Sequence, residues 1–148
     1  AGCCGALAHH LGQSHETKMI IKRNIDAWTE IIEEGSLDAI LINASGCGTM
    51  VKDYGYILRH DTEYAAKAEK ISNLTKDISE FLYDKEISSP LRWSSLKVAY
   101  HSACSLQHGQ KITEEPKSLL KRAGFLLSTQ LNYSIGPMGG RHLRDLVH

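Results

Sequence analysis

Asn43-Ala44-Ser45-Gly46-Cys47-Gly48 is the stretch around which the rest of the chain is organised. Before it runs Asp38-Ala39-Ile40-Leu41-Ile42, a short apolar segment that predicts a buried strand. The chain then enters a glycine-flanked turn that carries a single thiol, Cys47. Open α/β sheets hold their ligands just beyond the carboxyl ends of their strands. The position of Cys47 therefore predicts a ligand site, where Gly46 and Gly48 would let the backbone pass close to whatever the sulfur holds.

A second strand and cysteine repeat this arrangement later in the chain. Leu96-Lys97-Val98-Ala99-Tyr100 has the composition of a strand, and Cys104 lies a few residues beyond it. The other two cysteines are adjacent, in Gly2-Cys3-Cys4-Gly5. Adjacent side chains diverge, so such a pair rarely forms a disulfide with itself, but it can give two thiolates to one metal cluster. We interpret the four thiols as iron–sulfur ligands or as descendants of such ligands.

Apolar residues at helical spacing predict three main helices, over residues 14–35, 61–82 and 113–124. The middle helix is predicted to be the longest, and residues 50–58 to be a shorter helix or an ordered loop. Strands that alternate with helices predict an α/β fold with a mostly parallel sheet, in which residues 125–127 begin a further strand. Ser88-Ser89-Pro90 breaks the pattern. It divides the chain into two predicted halves, 1–89 and 90–148.

The bulk composition excludes several classes of function. The chain has 148 residues and a formal net charge of zero, with 42% hydrophobic and 23% charged residues, which is ordinary for a globular protein. It lacks the basic clusters that bind nucleic acid. It also lacks an apolar run of about 20 residues that could span a bilayer. Four cysteines, two of them adjacent, do not resemble a secreted disulfide framework, so we expect a reducing, cytoplasmic compartment.

The histidines leave other interpretations open. His9 and His10 follow the cysteine pair at a spacing that suits zinc, which prefers a tetrahedral set of Cys and His. His101 precedes Cys104 by three residues, so the two are also of the right types for a base and a nucleophile, although no third orienting group is evident. A single cysteine is often only a small apolar core residue. The alternatives are therefore a zinc-binding or interaction module and a plain scaffold without metal.

Five segments together resemble the cysteine-rich CCG family of iron–sulfur proteins. This family includes glycolate oxidase iron–sulfur subunits, heterodisulfide reductase subunits and lactate-utilisation proteins. The segment that follows Cys104, Leu106-Gln107-His108-Gly109-Gln110, points to the glycolate oxidase branch. The resemblance covers residues 1 to about 127, and its matching segments are Gly2–Gly12, Asn24–Trp28, Asn43–Gly48, Val51–Gly55 and Val98–Gln110.

The resemblance implies an electron-transfer role and a set of site residues. In such complexes a flavoprotein partner, with its flavin, oxidises glycolate to glyoxylate, and the iron–sulfur subunit passes the electrons toward quinone. The implied fold has two Rossmann-like cysteine-rich halves. The implied location is cytoplasmic, with peripheral contact to the inner face of the cytoplasmic membrane, and no nucleic-acid partner. A [4Fe-4S]-type cluster is implied, with four cysteines as ligands and four further residues beside it: Cys3, Cys4, Cys47, Cys104, Gly5, Gly46, Gly48 and His101.

The sequence departs from the family pattern at several places. It has no ferredoxin-like Cys-x-x-Cys-x-x-Cys part, no cysteine ahead of Cys3, and one thiol where the fuller family form has Cys-x-x-Cys. A second Cys-Cys-Gly is also absent, because Ile135-Gly136-Pro137-Met138 stands where it is expected. The first site is thus one thiolate short of the usual four, and Cys104 alone remains of the second. We therefore expect a fragment, truncated or divergent after residue 127, whose tail 128–148 does not pack as the family's second half does.

Overall fold

The structure is a computed structural model that describes residues 1–35, 37–85 and 96–128. The predicted boundary at Ser88-Ser89-Pro90 lies outside these residues, as does nearly all of the predicted loose tail. The described helices are α1 (Ala6–His10), α2 (Ser14–Glu34), α3 (Ser45–Lys52), α4 (Tyr54–Ile57), α5 (Ala65–Leu74), α6 (Ile78–Tyr83), a π-helix (Ser105–Gly109) and α7 (Glu115–Arg122). The described strands are β1 (Ile40–Ile42), β2 (Thr75–Asp77), β3 (Lys97–Ala99) and β4 (Leu126–Ser128).

The strands pair in parallel within two small sheets. Strand β1 pairs with β2, with Ile40 opposite Thr75, and β3 pairs with β4, with Lys97 opposite Leu126. Helices connect the two strands of each pair, as parallel pairing requires. The α/β prediction with parallel strands is confirmed, and the three predicted strands are present. Within the described residues they form two separate two-stranded sheets rather than one.

The predicted long helix over residues 61–82 is wrong, because β2 interrupts it. Helix α5 ends where the buried Thr75 donates its hydroxyl to the Ile71 carbonyl oxygen, 2.8 Å away. Asp77 then caps α6 by accepting a hydrogen bond from the Ser79 N–H at 2.9 Å. Glu80 returns the bond by accepting from the Asp77 N–H, which completes a capping box. Apolar spacing continued across the break because a second helix begins directly after a strand of three residues.

The core forms between α2 and the segment from α3 to α5. It contains Ile21 and Ile25 of α2, as their spacing predicted, and Trp28 and Ile32 pack against it. The short helix predicted within residues 50–58 is present as the end of α3 followed by α4. The other fully or nearly fully buried apolar residues of this core are Ile40, Met50, Val51, Tyr54, Leu58, Ala68 and Ile71.

A polar seam joins the π-helix to α3. The Ser105 hydroxyl donates to the Ser45 hydroxyl at 2.7 Å, and the Thr49 hydroxyl lies 3.3 Å from the Ser105 carbonyl oxygen. The Gln110 amide donates to the Ser45 carbonyl oxygen at 2.9 Å. The loop after β3 is thereby held against the helix that follows β1. Cys47 lies in α3, and Cys104 lies in the loop after β3.

Replacing the Asp77 cap with alanine tests the break between β2 and α6. We expect Asp77→Ala to lower the free energy of unfolding by about 1–2 kcal/mol, because the Ser79 N–H loses its acceptor. Asp84→Ala is the matched control, since that carboxylate is exposed and only 3.7 Å from the Lys76 ammonium at the surface. The urea concentration at the midpoint of unfolding measures both variants, provided that the dependence of the unfolding free energy on urea is unchanged. Equal midpoints for the two variants would show that α6 does not need the Asp77 cap.

Candidate metal centre

Cys4 lies close enough to Cys47 and Cys3 for both to raise the pKa of its thiol, beyond the larger effect of burial. Cys3 and Cys4 precede α1, whereas Cys47 lies in the first turn of α3. The predicted glycine-flanked turn at Cys47 is therefore wrong: the chain is already helical there. Cys3 is exposed, while Cys4 and Cys47 are half-buried. The structure thus brings together the three cysteines assigned to one site, and their role as ligands stays a prediction.

A backbone N–H at the start of α1 points toward one of these sulfurs. The Gly5 N–H lies 3.5 Å from the Cys3 sulfur. Gly5 directly precedes α1, where backbone N–H groups have no helical acceptor. The geometry depends on Gly5, whose φ of 87° lies in the left-handed region. Gly5 therefore contributes to the predicted site through its backbone.

Burial raises the pKa of the Cys4 thiol to about 11. The Ala6 N–H opposes this rise, and the neighbouring Cys47 and Cys3 thiols add to it. A thiol with this pKa stays protonated at neutral pH in the absence of metal. A metal that binds Cys4 must therefore displace its proton, since only the thiolate is a ligand.

Two buried polar side chains hold the backbone of the cysteine pair. Asn24 of α2 accepts the Gly2 N–H through Oδ1 at 2.7 Å and donates through Nδ2 to the Cys3 carbonyl oxygen at 2.8 Å. The same Nδ2 lies 3.1 Å from the Tyr54 hydroxyl, which donates to the Cys4 carbonyl oxygen at 2.8 Å. We call this network the Asn24–Tyr54 clamp. Burial raises the pKa of Tyr54 to about 12, so its hydroxyl stays neutral and able to donate.

Neither clamp residue was predicted from the sequence, although one feature of the sequence pointed to Asn24. Asn24 lies three residues after Ile21 and four before Trp28, which places it on the apolar face of a helix. A polar residue on such a face needs a buried partner. The partners of Asn24 come from distant segments, which helical spacing does not reveal.

The other predicted site residues lie elsewhere or act differently. Cys104 and His101 are exposed, and in the described residues no hydrogen bond joins either side chain to the first three cysteines. Gly46 is exposed with open space around it. Gly48 is buried, and a Cβ there would lie 2.8 Å from Gln110 Nε2, so this glycine makes room for the polar seam. The predicted close approach at Gly48 therefore involves a glutamine of the same chain.

Over residues 1–35, 37–85 and 96–128, no three Cys, His, Asp or Glu side chains form a ready-made metal-binding group. The donor set nevertheless fits an iron–sulfur group in kind, because thiolates are the ligands such clusters take. The Gly5 N–H already lies 3.5 Å from the Cys3 sulfur. A cavity of about 270 Å³ beside Cys3, also lined by Ile20, Arg23 and Asn24, leaves space at the exposed thiol.

Comparison with known proteins finds relatives that are named as iron–sulfur proteins. Residues 1–52 match the family whose description is "Cysteine-rich domain", the CCG family. The first third of the chain is therefore similar to CCG domains. It is 42% identical over 128 residues to the glycolate oxidase iron-sulfur subunit of Escherichia coli (strain K12), a match that covers 86% of this chain and 31% of that protein.

The chain is also similar to more distant proteins. It is 31% identical over 122 residues to the probable glycolate oxidase iron-sulfur subunit of Bacillus subtilis (strain 168), covering 80% of this chain and 26% of that protein. It is 25% identical over 134 residues to lactate utilization protein A of the same organism, a match that covers 87% of this chain and 52% of that protein. The chain therefore spans about a third or less of these glycolate oxidase subunits. No solved structure matches it.

Two glycine-to-alanine changes separate the backbone role of Gly5 from the openness of Gly46. We expect Gly5→Ala to lower the free energy of unfolding by about 1–2 kcal/mol, because alanine is strained at positive φ and its Cβ would lie 3.3 Å from Ile20 Cγ2. A Cβ at position 46 would meet no neighbour, so Gly46→Ala should raise the free energy of unfolding by up to about 1 kcal/mol. Chemical denaturation measures the free energy of unfolding of both variants. A neutral Gly5→Ala would contradict the role given to the left-handed turn.

The stability of the metal-free chain is expected to fall at high pH. The Cys4 thiol has an ordinary pKa of 9.0 and a folded pKa of about 11, so the folded state holds this proton more tightly. That stabilisation is fully present below pH 9 and is lost as the pH rises through 11. Tyr54 acts in the same direction between 10.0 and about 12. Urea midpoints at pH 8 and pH 10.5 test this, and a smaller decline is expected for Cys4→Ser.

Proposed function

We propose that this chain is the cysteine-rich part of an iron–sulfur electron-transfer subunit of a glycolate-oxidising complex. The observation that carries the proposal is the proximity of Cys4 to Cys47 and Cys3, with the Gly5 N–H directed at the Cys3 sulfur. Relatives named glycolate oxidase iron-sulfur subunit support the identity of the complex.

Cys3, Cys4 and Cys47 would hold the cluster, and a fourth ligand would come from outside this set. When bound, a [4Fe-4S]-type cluster supplies one-electron transfer chemistry. The half-buried Cys4 packs against the core, Cys47 is also half-buried, and Cys3 is exposed. Cys104 would belong to a second, separate site.

The partners that we propose follow the same reasoning. A flavoprotein subunit would oxidise glycolate to glyoxylate and deliver electrons to this subunit, which would pass them toward quinone. None of the described helices is long and apolar enough to cross a membrane. We propose that the complex approaches membrane quinone through peripheral association.

Anaerobic reconstitution with iron and sulfide tests the cluster assignment. We expect broad visible absorption together with bound iron and sulfide, and we expect Cys47→Ser to lose most of both, because that thiol is at the proposed site. Cys104→Ser is the matched control, since it removes an exposed thiol outside the site and should leave the spectrum largely unchanged. The metal is assigned by elemental analysis.

Two outcomes of this experiment would contradict the proposal. Tight binding of zinc without sulfide would favour the Cys/His zinc module, with His9 or His10 of α1 completing the set. Equal losses in Cys47→Ser and Cys104→Ser would show that the two thiols serve one site, or that the binding is unspecific.

A further inference from the structure

The Asn24–Tyr54 clamp saturates the polar atoms of both side chains with the backbone of three consecutive residues. The Gly2 N–H, the Cys3 carbonyl and the Cys4 carbonyl are each bonded to it. The two side chains also bond each other, so neither can turn without breaking several bonds. Asn24 is 2% exposed and Tyr54 has no exposed surface. A polar network this deeply buried is strongly directional, because each lost partner leaves an unsatisfied group in the core.

The clamp acts on a segment that has little else to order it. Residues 1–5 precede the first helix, and a free backbone costs about 1–2 kcal/mol per residue to order. The Cys3 side chain is exposed, so burial contributes little to its position. The clamp supplies the long-range hydrogen bonds that hold residues 2–4 against α2 and α4.

We propose that Asn24 and Tyr54 are positioning residues that fix the backbone of Cys3-Cys4, and with it the Cys4 thiol near Cys47, before any metal binds. The cysteine pair is therefore ordered in the metal-free chain, and metal binding has only to bring the side chains together. The nature of the resident metal group rests on the proposed function, but the clamp itself concerns only the thiols. A preorganised set binds a soft metal ion more tightly than a flexible one does.

Cadmium affinity of the metal-free chain tests the proposal, because Cd²⁺ takes thiolate ligands and needs neither iron nor sulfide. Thiolate-to-metal absorption in the ultraviolet follows the titration. All variants carry Cys104→Ser, so that the exposed thiol does not contribute. Tyr54→Phe removes the hydroxyl and keeps the ring that lies 6.4 Å from the ring of Trp28. We expect it to weaken Cd²⁺ binding about tenfold or more.

A matched control separates positioning from general stability. Thr75→Val also removes a buried hydroxyl, one that bonds the Ile71 carbonyl oxygen and not the cysteine segment. We expect both variants to lose stability in urea but only Tyr54→Phe to lose cadmium affinity. Asn24→Asp keeps an acceptor for the Gly2 N–H and loses the two donated bonds, so it should resemble Tyr54→Phe.

Three results would overturn the proposal. These are wild-type affinity in Tyr54→Phe, an equal loss of affinity in Thr75→Val, and a parent chain that does not bind Cd²⁺ through Cys4. Failure of iron–sulfur reconstitution with an intact difference in cadmium affinity would instead overturn the proposed function and leave the clamp in place. The two proposals therefore fail in distinguishable ways.

Discussion

The hydroxyl of Tyr54 is the constraint on which this half of the structure depends. It lies in the core between α2 and the α3–α5 segment, where no water can satisfy it. A buried hydroxyl without a partner costs free energy comparable to a lost hydrogen bond. The Cys4 carbonyl and the Asn24 amide supply its partners. The core can therefore be completed only when the cysteine segment lies in its observed place.

This dependence runs in both directions. The cysteine segment contributes few buried apolar atoms, apart from Cys4 and Ala6, which pack against the core. Its position is held mainly by hydrogen bonds to side chains that the core has already fixed. Folding of the core and assembly of the thiol site are thereby one event, and a disturbance of either is felt by the other. Packing alone would leave the site loose, and hydrogen bonds at an exposed surface would be too weak to hold it.

Local patterns in the sequence predicted some of this structure and missed the rest for physical reasons. The apolar run ending at Ile42 is a strand as predicted, but only Ile40 in it is buried, and Leu41 is 44% exposed. The face carrying Ile21 and Ile25 was correct, because burial imposes a period that a short window reveals. The strand Thr75–Asp77 was missed because three residues are too few to show a period of two. The clamp was missed because its hydrogen bonds join residues 21 to 50 positions apart. Only the fold reveals such partners.

The glycines near the cysteines show why a motif can be recognised correctly and explained wrongly. Gly48 was predicted to make room for a bound group, and Gly5 was predicted to lie beside the cluster. Gly5 adopts a positive φ, and its N–H lies 3.5 Å from the Cys3 sulfur. Gly48 is required by Gln110, whose amide crosses the place of its missing side chain to reach Ser45. The first constraint belongs to the thiol site. The second joins the Cys47 helix to the loop of Cys104, so the two cysteine-bearing connections are held together by contacts that involve no sulfur.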